Sequence, residues 1–138
     1  MTGTLFVIEG VDGSGKATQT ELLYQALLQQ QKNVRKVSFP DYDSPSSSLI
    51  KMYLNGEFGT DPQSVNAFAT SVFFAVDRFA SFRKDWQAFY EAGGIIIADR
   101  YVTSNLVHQA GKLDSWEEKE QYIHWLSQLE YDIFGLPR

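Results

Sequence analysis

Thr4–Leu23 reads TLFVIEGVDGSGKATQTELL. The first part, TLFVIEG, is apolar, β-branched and aromatic and stops on Gly10, the pattern of a buried strand. Gly10–Lys16 then fits G-x-x-x-x-G-K, and Leu22, Leu23, Ala26 and Leu27 follow at helical spacing. Strand, glycine-rich loop and helix form the context in which this motif binds phosphate. Glycines let the loop bend so that successive backbone N–H groups converge on phosphate oxygens. The helix aims the positive end of its dipole at the same oxygens. Gly10, Asp12, Gly13, Ser14, Gly15, Lys16 and Thr18 are therefore the expected binding residues for ATP, with the Lys16 charge directed at its β- and γ-phosphates.

One position departs from the motif. Ala17 stands where a Ser or Thr hydroxyl usually touches Mg²⁺. Thr18 lies about 100° further round the helix and does not substitute for it. A water in the missing ligand position, with Mg²⁺ held by phosphates, waters and a carboxylate, is the favoured reading. Loss of catalysis is the other.

Beyond the loop, NVRKVSF reads as a second strand ended by Pro40. SLIKMYLNGEFG reads as a short helix closed by Gly56 or Gly59, and a long helical stretch, of one or two helices, starts at Asp61-Pro62. GGIIIADRY is a third strand, unbroken in apolar character as suits a strand covered on both faces. A last helix begins at Ser115, with Glu118 three residues on as in a capping box. The order β-α-β-α-α-β-α implies an α/β fold of the P-loop NTPase type. It has three layers, α/β/α, around a parallel sheet, in a single domain over residues 1–138. Three parallel strands make a small sheet with an unpaired apolar edge, so further strands are expected beyond Arg138.

Asp99 emerges at the carboxyl end of the third strand, where ligands bind in open parallel sheets. It is the candidate to order magnesium waters, as a Walker-B aspartate does. Arg100 beside it is the candidate clamp for a second phosphate.

The 138 residues carry a formal net charge of −5, which argues against a nucleic-acid surface. There is no cysteine, hence no disulfide framework or thiolate metal site, and the two histidines lack metal-ligand spacing. No signal peptide pattern and no apolar run of membrane-spanning length is present, so a cytoplasmic protein without membrane contact is expected.

Three segments in order, EGVDGSGKATQ, FFAVDRF and DRYVTSNLVHQ, together resemble the thymidylate kinase family, and the resemblance extends over the whole chain. It implies transfer of the γ-phosphate of ATP to dTMP, with Mg²⁺, in a homodimer packed through helices. By position it assigns Asp12 to the dTMP sugar and Phe74 to stacking on thymine. Arg78 is assigned to the thymine carbonyl edge, Arg100 to the dTMP phosphate, and Ser104 and Gln109 to the thymine pocket. Phe74 and Arg78 share a helix face at i and i+4, as a ring and a guanidinium meeting one flat base would. Where the family carries an arginine for the monophosphate, this chain has Tyr42. The terminal LPR resembles the segment leading into the family's next strand, and the lid arginines are expected further on. The alternatives are another P-loop nucleoside or nucleotide kinase, with Glu9 as candidate base where the acceptor is a free 5′-hydroxyl, and a non-catalytic nucleotide-binding module.

Overall fold

The computed structural model describes residues 2–10 and 15–138. Asp12, Gly13 and Ser14 of the expected phosphate loop lie outside them. Three strands form one parallel sheet: β1 (Thr4–Ile8), β2 (Val34–Ser38) and β3 (Ile95–Asp99). The order is β1-β3-β2, so the last strand in sequence is the central one. Ile8 and Ser38 both register with Asp99, which brings three strand ends to one line.

The apolar run of β3 is explained by its neighbours. Ile96 and Ala98 join the main core with Trp86, Tyr101, Val102, Tyr122 and Leu126. Ile97 points the other way and is equally buried. That is the side on which α1 (Lys16–Gln29) packs against β2 and β3. Helices thus cover both faces of the central strand, as an α/β sheet requires. On α1 the inward residues are Leu23 and Leu27, while Leu22, expected on the same face, is exposed. It lies about 100° round the helix from Leu23, beyond the sheet's width.

The middle of the chain is more helical than the sequence pattern shows. α2 (Ser48–Leu54) ends at Asn55, just before Gly56. α3 (Ala67–Ser81) starts later than Asp61-Pro62, which form only a short 3₁₀ turn. The Asn66 side chain accepts from Ala69 N and sets the true start. A π-helical turn at Phe82–Trp86 joins α3 to α4 (Gln87–Glu91). α5 (Val102–Ala110), directly after β3, is an element the sequence reading lacked. Its Val, Thr and Asn residues are weak helix formers, and packing against α3 and α6 supplies the stability. α6 (Trp116–Ser127) starts as expected: Ser115 Oγ accepts from Glu118 N at 3.1 Å. The Glu118 carboxylate returns to Asp114 N, one residue earlier than a capping box places it. A second π-helical turn, Gln128–Ile133, extends α6.

Candidate nucleotide-binding site

Gly15 caps the N-terminus of α1 with φ 89°, a left-handed conformation that favours glycine. The turn delivers Lys16 to the carboxyl end of β3. Its Nζ donates to Asp99 Oδ1, and both side chains are largely shielded from solvent. Gly10 follows the end of β1, and Thr18 is exposed on α1.

Arg100 follows Asp99 with φ 68°, outside the range most side chains adopt. Its N–H donates to Ile8 O at 3.0 Å, and Phe39 N donates to Asp99 O at 3.0 Å. The backbone is held at this strained point by the strands on either side, an arrangement that functional sites often show. Glu9 joins them: its carboxylate accepts from Tyr101 N at 2.9 Å. Loss of hydration pushes Glu9 up from the usual carboxylate range, against the backbone donors of Tyr101 and Ser104 and the charges of Arg100 and Arg78.

Two cavities adjoin here. One, of about 230 Å³, is lined by Lys16, Ser38, Asp99 and Arg100. The other, of about 240 Å³, is lined among others by Tyr42, Phe74, Arg78, Arg100, Ser104 and Gln109. Phe39, Pro40, Tyr42 and Arg100 border both. The described residues expected around the acceptor therefore meet in one place. The Gln109 Oε1 is buried with no hydrogen-bond partner among the described residues. A buried acceptor left open is costly, and a ligand N–H would satisfy it.

Asp77 and Arg78, neighbours on α3, are both buried and each faces a different partner. Asp77 accepts from Asp41 N at 2.9 Å and Ser46 Oγ at 2.6 Å, tying down the segment that carries Tyr42. Arg78 donates from Nε and Nη2 to the two carboxylate oxygens of Glu130, at 2.5 and 2.8 Å. Neither Asp77 nor Glu130 was expected at the site. The signal for Glu130 is present in the sequence. Tyr122, Leu126 and Glu130 repeat at i, i+4, i+8, so a carboxylate occupies the apolar stripe of a helix.

A parallel sheet ending in Asp99, with the lysine of a glycine-rich loop paired to that carboxylate, defines a protein of the P-loop NTPase type. Within that class the chain belongs to the thymidylate kinase family, whose sequence model (Thymidylate kinase) matches residues 8–136. It is 34% identical over 135 residues to a thymidylate kinase of Mycobacterium tuberculosis (strain ATCC 25618 / H37Rv), covering 97% of this chain and 61% of that protein. It is 32% identical to a probable thymidylate kinase of Pyrococcus horikoshii, covering 94% of this chain and 59% of that one. The solved structure of thymidylate kinase from Candida albicans superposes with a TM-score of 0.71 at 31% identity, over 92% of this chain and 56% of that chain. The chain thus spans about three-fifths of the length of the curated relatives it matches.

Proposed function

We propose that the protein acts as a thymidylate kinase, moving the γ-phosphate of ATP onto the phosphate of dTMP to give dTDP. The observation that carries this reading is the pair of adjoining cavities with Arg100 and Tyr42 on their common border. The cavity beside Lys16 and Asp99 suits the triphosphate end of ATP. The cavity with Phe74, Arg78 and Gln109 suits a flat base bearing carbonyl and N–H groups. Its small size favours a single pyrimidine nucleotide.

The acceptor is already an anion, so the chemistry needs alignment and charge neutralisation rather than a strong base. Lys16 would leave Asp99 for the β- and γ-phosphates. Arg100 would hold the dTMP phosphate in line with them, and the Tyr42 hydroxyl would donate to that phosphate. Phe74 would stack on thymine. Ser104 and Gln109 would meet its polar edge.

The donor set fits Mg²⁺ in one specific way. Among the described residues no group of three or more His, Asp or Glu gathers into an all-protein cage. Asp99 would hold the ion through water, with phosphate oxygens as its remaining ligands. Held there, the ion would supply positive charge to offset that of the phosphates.

A homodimer and a cytoplasmic setting belong to the same proposal. Phe68 and Val72 on α3 are exposed, which supports packing of helix on helix between two copies. No helix among the described residues is long and apolar enough to cross a membrane.

The test is ADP formation with Mg-ATP and a panel of dTMP, dUMP, CMP, AMP and thymidine, using a protein extended to the length of its relatives. Preference for dTMP supports the reading. Preference for thymidine would favour a nucleoside kinase with Glu9 as base. Tight nucleotide binding without transfer to any acceptor would favour a binding module.

A further inference from the structure

Arg78, in the wall of the cavity that also holds Phe74 and Gln109, faces Glu130 behind it fork to fork, and the two are 2% and 0% exposed. Such a pair is a poor source of stability. Burying two charges costs as much as their attraction returns, and apolar residues of the same volume often do better. The pair must be read for what it does to Arg78.

It does two things. The guanidinium is planar with five N–H hydrogens, and Glu130 engages Nε–H and one on Nη2. The plane is then fixed, and the remaining hydrogens have a set direction. The carboxylate also cancels the arginine's charge locally. A neutralised, oriented guanidinium remains a good donor to a neutral carbonyl but a poor binder of a dianion. Glu130 is itself held in place. It sits in the π-helical turn Gln128–Ile133, and its carbonyl accepts from Leu136 N at 3.0 Å. The following Pro137 accepts from Tyr101 Oη at 2.7 Å, one residue from Arg100. π-Helical turns inside α-helices are frequent at functional sites because the extra residue re-aims a side chain.

We propose that Glu130 is a positioning residue for base selectivity: it holds Arg78 so that the cavity accepts a pyrimidine with a carbonyl at ring position 4 and disfavours a 4-amino base. This rests on the proposed function, in which the base of the acceptor nucleotide enters this cavity.

The test is calorimetric binding of dTMP, dCMP and Mg-ATP to the chain and to its Glu130→Gln variant. The variant is expected to lose about tenfold or more of the preference for dTMP over dCMP, the scale of a charge-assisted hydrogen bond, while Mg-ATP binds as before. Glu130→Asp keeps the buried charge compensated but withdraws the carboxylate, and it carries the same test where Glu130→Gln does not fold. A folded variant with an unchanged dTMP to dCMP ratio overturns the proposal, because a purely structural role would weaken both nucleotides alike. An unaltered chain that binds neither monophosphate overturns the reading of the cavity itself, and the proposal with it.

Discussion

Lys16, at the first position of α1, and Asp99, at the last position of β3, meet as an ion pair although they lie 83 positions apart. The contact spans the two motifs on which the function rests. On the proposed function, Asp99 and the ATP phosphates would compete for Lys16, because the phosphates would have to draw it from the carboxylate. Lys16→Met is expected to lower the rate of transfer by about 10²- to 10³-fold, the usual loss when one preorganised charge is removed from a site. Asp99→Asn leaves the lysine in place but removes the carboxylate expected to order magnesium waters. The Mg²⁺ concentration for half-maximal rate should then rise. A titration of rate against Mg²⁺ at saturating ATP separates the two, and an unchanged Mg²⁺ requirement in Asp99→Asn would remove Asp99 from that role.

On the proposed function, Asp77 would act on acceptor binding only through the segment that carries Tyr42. Its carboxylate holds Asp41 N and Ser46 Oγ, one on each side of the turn after Tyr42. Asp77→Ala strands two donors and should cost about 2–3 kcal/mol of stability, measured by urea unfolding. Its KM for dTMP should rise while that for ATP holds. Asp77→Asn retains one acceptor oxygen and should fall between the two. Equal changes in both KM values would mean that the segment does not position Tyr42.

Three tyrosines bias the protein against alkaline conditions. Burial pushes Tyr122 up to about 12, and pushes Tyr101 and Tyr131 upward as well. The neutral phenol is the favoured form in the fold, whereas in the unfolded chain it ionises near pH 10. Below that pH both states carry the proton and stability is complete. Above it the unfolded state binds fewer protons, so stability falls by about 1.4 kcal/mol per pH unit for each such tyrosine, and for Tyr122 the loss continues to about pH 12. Urea midpoints should hold between pH 8 and about 10 and fall steeply from there to pH 11.5, less steeply in Tyr122→Phe. A flat profile would contradict the burial of these hydroxyls.

The parts of this protein that could be read from sequence are those whose chemistry is local. The start of α1 behind Gly15, the apolar run before Asp99 and the Ser115 cap are each set by neighbouring residues, and each lies where its pattern indicates. The strand order was not legible, because three similar parallel strands do not state which is central. The start of α3 was misplaced because Asp61-Pro62 is a stronger helix-start signal than Asn66, and only tertiary packing decides between them. α5 has no strong periodicity and depends on α3 and α6 for its existence. At the site, the resemblance named Tyr42, Phe74, Arg78, Arg100, Ser104 and Gln109, and the structure gathers all of them around one cavity. Asp77 and Glu130 were missed because their partners are 36 and 52 positions distant. A charge on an apolar stripe signals only that a partner exists, not which one.

Tyr42 offers the most direct test of the acceptor side. It borders both cavities and is about half exposed, so a longer side chain can be placed there without overpacking. A phenol gives a monophosphate one hydrogen bond and no charge. A guanidinium gives two parallel bonds and a full charge. Tyr42→Arg should therefore tighten dTMP binding by about tenfold, the equivalent of one charge-assisted hydrogen bond. The gain should shrink as salt rises, since the site is open to solvent. Thymidine, which lacks the phosphate, should bind the variant no better than the original. If dTMP and thymidine gain equally, the new arginine is meeting the base or sugar, and the phosphate does not lie between Tyr42 and Arg100. If neither gains, the acceptor phosphate sits elsewhere, and the reading of the shared border between the two cavities fails with it.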